Sequence, residues 1–246
     1  MTTPSSTPPR GALAVFTTAV FVSAFLLFLV QPLFSRMALP LLGGAPSVWN
    51  TCMLFFQAAL LAGYGYAHLS ARRLGPRGQA GLHLGLLAAA ALVLPVAVGA
   101  AAPEGGEAPV PWLLALMAAT VGPPFFVLAG TGPLLQRWFA RTGHRDAGDP
   151  YFLYAASNLG SALALLGYPF LLEPRLRLAE QSLAWTLGYA LLGVLVAGCA
   201  GVGLRGRGAV AAAEPAGEEE REAAPVTVRE RALWTALAFA PSSLLL

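Results

Sequence analysis

Within an otherwise apolar chain, the side chains able to recognise a solute are few: Gln31, Asn50, Gln57, Gln136, Ser157 and Asn158. Each carries an amide or hydroxyl that donates and accepts hydrogen bonds without bearing charge. Asn50 and Gln57 are seven residues apart and therefore share one face of a helix. Such a polar stripe avoids lipid, so it either bonds a neighbouring helix or contacts a substrate. Covalent chemistry has no such foothold. There is no Ser-His-Asp order and no HExxH pattern. Gly43-Gly44 leads into Ala45-Pro46, and Gly105-Gly106-Glu107 lacks the preceding strand and following helix of a nucleotide cradle. We assign no catalytic residue and no cofactor.

Metal ligation is equally unsupported. His68 and His83 have no Cys, Asp or Glu at ligand spacing, and Cys52 and Cys199 sit in apolar runs where a thiol behaves as a small hydrophobe.

These polar residues must be positioned by the apolar segments around them. No Asp, Glu, Lys or Arg occurs in Gly11–Ser35, Met37–Ala71, Gly78–Pro103, Ala108–Gln136, Pro150–Leu172 or Gln181–Leu204. A helix crossing a hydrocarbon core needs roughly 20 apolar residues. The expected fold is therefore all-α: a polytopic bundle of six full transmembrane helices in residues 12–203, centred on Ala12–Leu33, Val48–Leu69, Leu82–Val98, Pro111–Leu135, Tyr151–Leu172 and Leu183–Val202. Residues 1–11 form a tail, residues 204–231 a polar linker, and residues 232–246 the start of a seventh helix that stops short of a crossing. The chain reads as a fragment of something longer.

Composition agrees: 57% of residues are hydrophobic and 11% charged, with a mean hydropathy of +0.65. The net charge of +3 comes from 15 positive residues, all Arg, placed between the apolar runs rather than in a nucleic-acid-binding patch. Arg10, Arg72, Arg73, Arg77, Arg137, Arg141, Arg145, Arg205, Arg207, Arg221, Arg229 and Arg231 fall on one side of the expected membrane, leaving only Arg36, Arg175 and Arg177 on the other. The positive-inside rule then puts the N-terminus in the cytoplasm. The linker, with its Glu218-Glu219-Glu220 run, buries too little apolar surface to fold alone. It suits a joint between two six-helix bundles and also a simple tether.

Three further features bear on packing and transport. Ala59, Gly63 and Ala67, and again Ala156, Gly160 and Ala164, repeat small residues every four positions, which lets helix backbones approach or opens a groove. Gly122-Pro123-Pro124, and later Pro133, should kink or break the fourth segment, as a plain structural bend or as the lining of a transport site. No carboxylate lies in any of the six windows, so proton coupling through an intramembrane acid is not visible.

Four ordered blocks carry a likeness to a known family. They are Phe28-Leu29-Val30-Gln31-Pro32-Leu33-Phe34; Leu39-Pro40-Leu41-Leu42-Gly43-Gly44-Ala45-Pro46-Ser47-Val48-Trp49-Asn50; Gly132-Pro133-Leu134-Leu135-Gln136-Arg137-Trp138-Phe139; and the run from Asp149-Pro150-Tyr151 through Ser157-Asn158-Leu159-Gly160-Ser161. From about Phe16 onward the chain resembles the membrane portion of the bacterial fused MFS/spermidine synthase proteins.

The resemblance implies a major-facilitator-like bundle in the bacterial inner membrane, followed in full-length members by a soluble aminopropyltransferase-like domain. This chain stops before that domain, so no synthase activity is carried over to its residues. The resemblance also implies a gating loop after the second span. Arg73, Gly75 and Arg77 match the family pattern, while Arg72 stands where an Asp is usual, His68 replaces a Gly and Pro76 replaces an Arg. The functions implied are movement or sensing of a small, polyamine-related solute or, without transport, membrane anchoring of the synthase-like domain.

Overall fold

In this computed structural model, residues 11–99, 109–144, 146–147 and 150–211 are described, together with Arg229 and Leu233. The last two are helical and belong to a separate unit, Ala213–Leu246. Among the described residues there is no strand. The elements are α1 (Ala12–Leu42), α2 (Pro46–Arg73), α3 (Pro76–Ala90), α4 (Pro109–Thr120), α5 (Gly122–Phe139), α6 (Tyr151–Gly167) and α7 (Leu178–Ala211). A 3-10 turn, Ala91–Val93, follows α3, and a π-helical turn, Tyr168–Leu172, follows α6.

Four of these stretches are long and apolar enough to cross a bilayer: α1, α2, α6 with its π turn, and α7 as far as Leu204. α4 and α5 make a fifth if counted as one bent span. Among the described residues, then, four or five of the six expected crossings stand as membrane-length helices. The shortfall is at α3, whose 15 residues reach about 22 Å at 1.5 Å each, less than a hydrocarbon core of about 30 Å. Extended backbone at Leu94 ends the helical stretch, as expected for a residue preceding proline. The expected seventh helix falls almost wholly outside the described residues.

Prolines set most other boundaries. Pro46 and Pro76 occupy first-turn positions of α2 and α3, where a missing N–H leaves nothing unsatisfied. Between α4 and α5 the axis turns by 62°, at Gly122-Pro123-Pro124 as the sequence requires. Pro169 cannot donate to the carbonyl four residues back; the turn widens, and the Glu173 N–H donates to Tyr168 O at 2.9 Å. α1 continues through Pro32 and Pro40 and past the expected end at Leu33. Arg36 lies within it as a good helix former and pairs with Glu173 beyond α6. α7 likewise enters the segment read as linker and reaches Ala211, since no proline lies between Arg175 and Glu214 to stop it.

α1 is the hub. It packs against α5, α6 and α7, while α2 lies on α4 and α5, and α3 on α5 and α7. Phe16, Phe34, Phe125 and Phe139 are fully buried, and rings meet edge-on between α1 and α5 (Phe16–Phe139, 5.4 Å) and between α1 and α2 (Phe34–Phe56, 6.4 Å). The small residues serve the packing role. A Cβ at Gly63 would lie 2.5 Å from Ala129 Cβ and 2.7 Å from Phe126 O on α5, and one at Gly160 would lie 2.5 Å from Phe21 O on α1. Backbones approach this closely only where glycine removes the obstacle.

Candidate functional site

The two faces of α2 diverge completely. Cys52, Phe56, Gly63, Ala67 and Ser70 are buried against the bundle, while Asn50, Gln57, Tyr64 and His68 lie on the opposite face and are exposed. α6 repeats the arrangement. Leu153, Ala156, Gly160 and Ala164 are buried, whereas Tyr151, Tyr154 and Asn158 are exposed. The two polar stripes meet at one end of the bundle, in an open cleft of about 400 Å3. Tyr64 and His68 of α2, Gln136 and Arg137 of α5, and Tyr154 of α6 line it.

Of the six side chains singled out for solute recognition, Gln136 lines this cleft and the other five do not. Asn50 and Gln57 lie further along the α2 stripe, and Asn158 lies on the α6 stripe, its carbonyl accepting a hydrogen bond from Ser161 Oγ at 3.0 Å. Ser157 is half-buried beside it. Gln31 stands apart on α1, where Nε2 donates to Leu27 O at 3.4 Å one turn back. Arg73 ends α2, Gly75 caps α3 in extended conformation and Arg77 sits in the first turn of α3. Among the described residues neither arginine forms an ion pair. Arg72 and Arg73 instead complement the negative end of the α2 dipole.

A second polar group, which sequence reading missed, lies inside. His83 on α3 is fully buried, with Nε2 3.1 Å from Thr131 Oγ1 on α5 and Nδ1 3.3 Å from Tyr66 OH on α2. One turn earlier Gln79 accepts a hydrogen bond from Trp138 Nε1 at 2.8 Å and donates to Ser70 Oγ at 3.4 Å. These residues tie α2, α3 and α5 together through side chains that would each be expensive to bury alone. The available signal was the i, i+4 spacing of Gln79 and His83, which puts both on one face of α3. No acidic residue belongs to this cluster, and its donors and acceptors satisfy one another. Its role is to lock helices together.

Chemically, then, the outward stripes offer uncharged hydrogen-bonding groups with one arginine, Arg137, at the cleft. That set suits reversible contact with a polar solute or a partner helix rather than bond making. No protein-family model matches the chain, nor does any curated protein or solved structure. The architecture is that of an all-helical protein with several membrane-length apolar helices.

Proposed function

We propose that this chain is the N-terminal half of a major-facilitator-like inner-membrane protein of the fused MFS/spermidine synthase type, and that it moves or senses a small, polyamine-related solute. The observation that carries the reading is the outward placement of Asn50, Gln57, Tyr64 and His68 on α2 and of Tyr151, Tyr154 and Asn158 on α6. An amide facing hydrocarbon without a partner loses several kcal/mol relative to water. Two helix faces that carry three amides and a histidine between them are therefore built to meet something other than lipid. A second bundle enclosing a solute path supplies both the partner and the water. In this reading α3, its 3-10 turn and the Leu94–Val98 segment that follows complete the sixth crossing, and the arginine-rich loops, with the N-terminus, stay in the cytoplasm.

The test is uptake of labelled spermidine or a related amine into proteoliposomes holding the full-length protein. Uptake above empty vesicles, weakened by Asn50→Ala, Gln57→Ala and Asn158→Ala, supports transport. No uptake, with intact aminopropyltransferase activity in an excised soluble domain, replaces it with the anchoring role.

A further inference from the structure

Where the two outward stripes meet, a fixed charge joins the uncharged polar groups. The last turns of α2 and α5 and the first turn of α6 converge there on the open cleft of about 400 Å3. Arg137, Gln136, Tyr64, His68 and Tyr154 supply its polar lining. Gln136 is half-buried and the other four are exposed, so none of them is spent on the core. Each of these side chains can donate a hydrogen bond. None of the described residues lining the cleft is acidic, and among the described residues Arg137 has no ion-pair partner. Asp149, next in sequence to Pro150, lies outside the described residues.

A set of donors around one positive charge, with no negative charge to match it, complements an anion. The planar guanidinium fits two oxygens of a phosphate at once. The same charge repels a polyammonium solute, so the cleft does not suit the amine that Asn50, Gln57 and Asn158 could contact further along the stripes. Depth points the same way. The cleft stands at the end of the bundle where Arg72 and Arg73 close α2 and Arg77 opens α3. In a membrane protein arginines settle at headgroup level, and tyrosines collect at the same interface. Tyr151 and Tyr154 are both exposed there, with ring centroids 6.3 Å apart. Basic pockets between helices at this depth are where phosphate headgroups are held. At roughly 30 Å3 per water-sized group, the space takes roughly thirteen such groups, enough for a phosphate and a small polar substituent.

We propose that this cleft binds a phosphate group, with Arg137 as its charge partner and Tyr64, His68 and Tyr154 as hydrogen-bond donors. The chemistry is shared by the headgroup of an anionic phospholipid and by free phosphate. The inference rests on the membrane reading for its depth, and not on transport.

The test is native mass spectrometry of the full chain in detergent, titrated with phosphatidylglycerol. A saturable adduct is expected, preferred about tenfold over phosphatidylcholine, whose headgroup ammonium offsets its phosphate; that ratio corresponds to roughly 1.4 kcal/mol. Arg137→Gln should abolish the preference, Arg137→Lys should restore most of it, and Arg177→Gln at the opposite end should leave it unchanged. The pair Tyr64→Phe and Tyr154→Phe should weaken binding about threefold, since two donors are lost and the charge is kept. Thermal unfolding in detergent should give the same midpoint for Arg137→Gln as for the parent chain, so lost binding is not lost fold. Inorganic phosphate in millimolar excess distinguishes the sources: displacement of the lipid assigns the site to the free anion, and its failure to displace assigns it to the headgroup. The proposal is overturned by adducts that do not saturate, by equal binding of the two lipids, by indifference to Arg137→Gln, or by binding that emerges only in Asp149→Asn, which would mean that the guanidinium is already claimed. Amine uptake that fails while lipid selectivity holds removes the transport reading alone, and the converse removes the cleft site alone. Release of the chain by alkaline carbonate removes the membrane reading itself.

Discussion

Two polar regions of this molecule use similar side chains to opposite ends. Between α2, α3 and α5, Ser70, Gln79, His83, Thr131 and Trp138 are buried and pair with one another. On the outward faces of α2 and α6, Asn50, Gln57, His68 and Asn158 point away from the bundle. Residue type does not separate the groups, since each contains an amide and a histidine. The difference is what lies on the same helix face. Gln79 and His83 share theirs with Ala80, Leu87 and Ala90, all buried. Asn50 and Gln57 share theirs with Leu54 and Leu61, which are 65% and 73% exposed. Polar residues among buried neighbours hold the fold together, and polar residues on an unpartnered face remain available for recognition.

The sharpest way to break this comparison is to enlarge glycines on the two faces of one helix. Gly63→Leu would drive a side chain into Ala129 and the Phe126 carbonyl, and Gly160→Leu would do the same to the Phe21 carbonyl, whereas nothing lies within 4 Å of a Cβ at Gly65. Both of the first two should lose about 3 kcal/mol or more, because backbone cannot move aside, while Gly65→Leu stays within about 0.5 kcal/mol. Thermal unfolding in detergent reads this directly, and equal midpoints for Gly63→Leu and Gly65→Leu would erase the distinction.

Gln79→Leu comes next. It removes the acceptor of the Trp138 indole N–H, leaving a buried donor unpaired at a loss of about 1–3 kcal/mol, and Trp138 emission should shift as its surroundings change. Thr131→Val takes one partner from His83 but keeps the shape, so about 1 kcal/mol is expected in the same unfolding assay. Smallest of all should be the stability changes for Asn50→Ala, Gln57→Ala and Asn158→Ala, within about 0.5 kcal/mol. If any of these three unfolds the protein as Gln79→Leu does, the outward face is structural after all.

The sequence foretold the helical class, the break at Gly122-Pro123-Pro124 and the packing role of Gly63 and Gly160, because each follows from local chemistry: a run without charge, a missing N–H, a missing Cβ. Of the six expected spans, four stand as single membrane-length helices among the described residues and a fifth as a bent pair, since a window without charge says nothing about where backbone leaves the helix, and the chain beyond Ala90 does so ahead of Pro95. The inner polar cluster escaped notice for a related reason. In sequence His83 reads only against the metal-ligand pattern, and its partners lie 17 and 48 residues away on other helices, a pairing that no spacing within one element reveals.

The hub position of α1 also has a bearing on biosynthesis. Its deepest contacts are with α6 and α7, which begin at Tyr151 and Leu178. At translation speeds of roughly 5–20 residues per second, those partners leave the ribosome on the order of ten seconds or more after α1 does. For that interval the nascent helix must stay in the bilayer without these two partners, and a mean hydropathy of 2.6, the highest of the four long helices, equips it to do so. Its later partners can afford to be less greasy because they arrive to a docking post already in place.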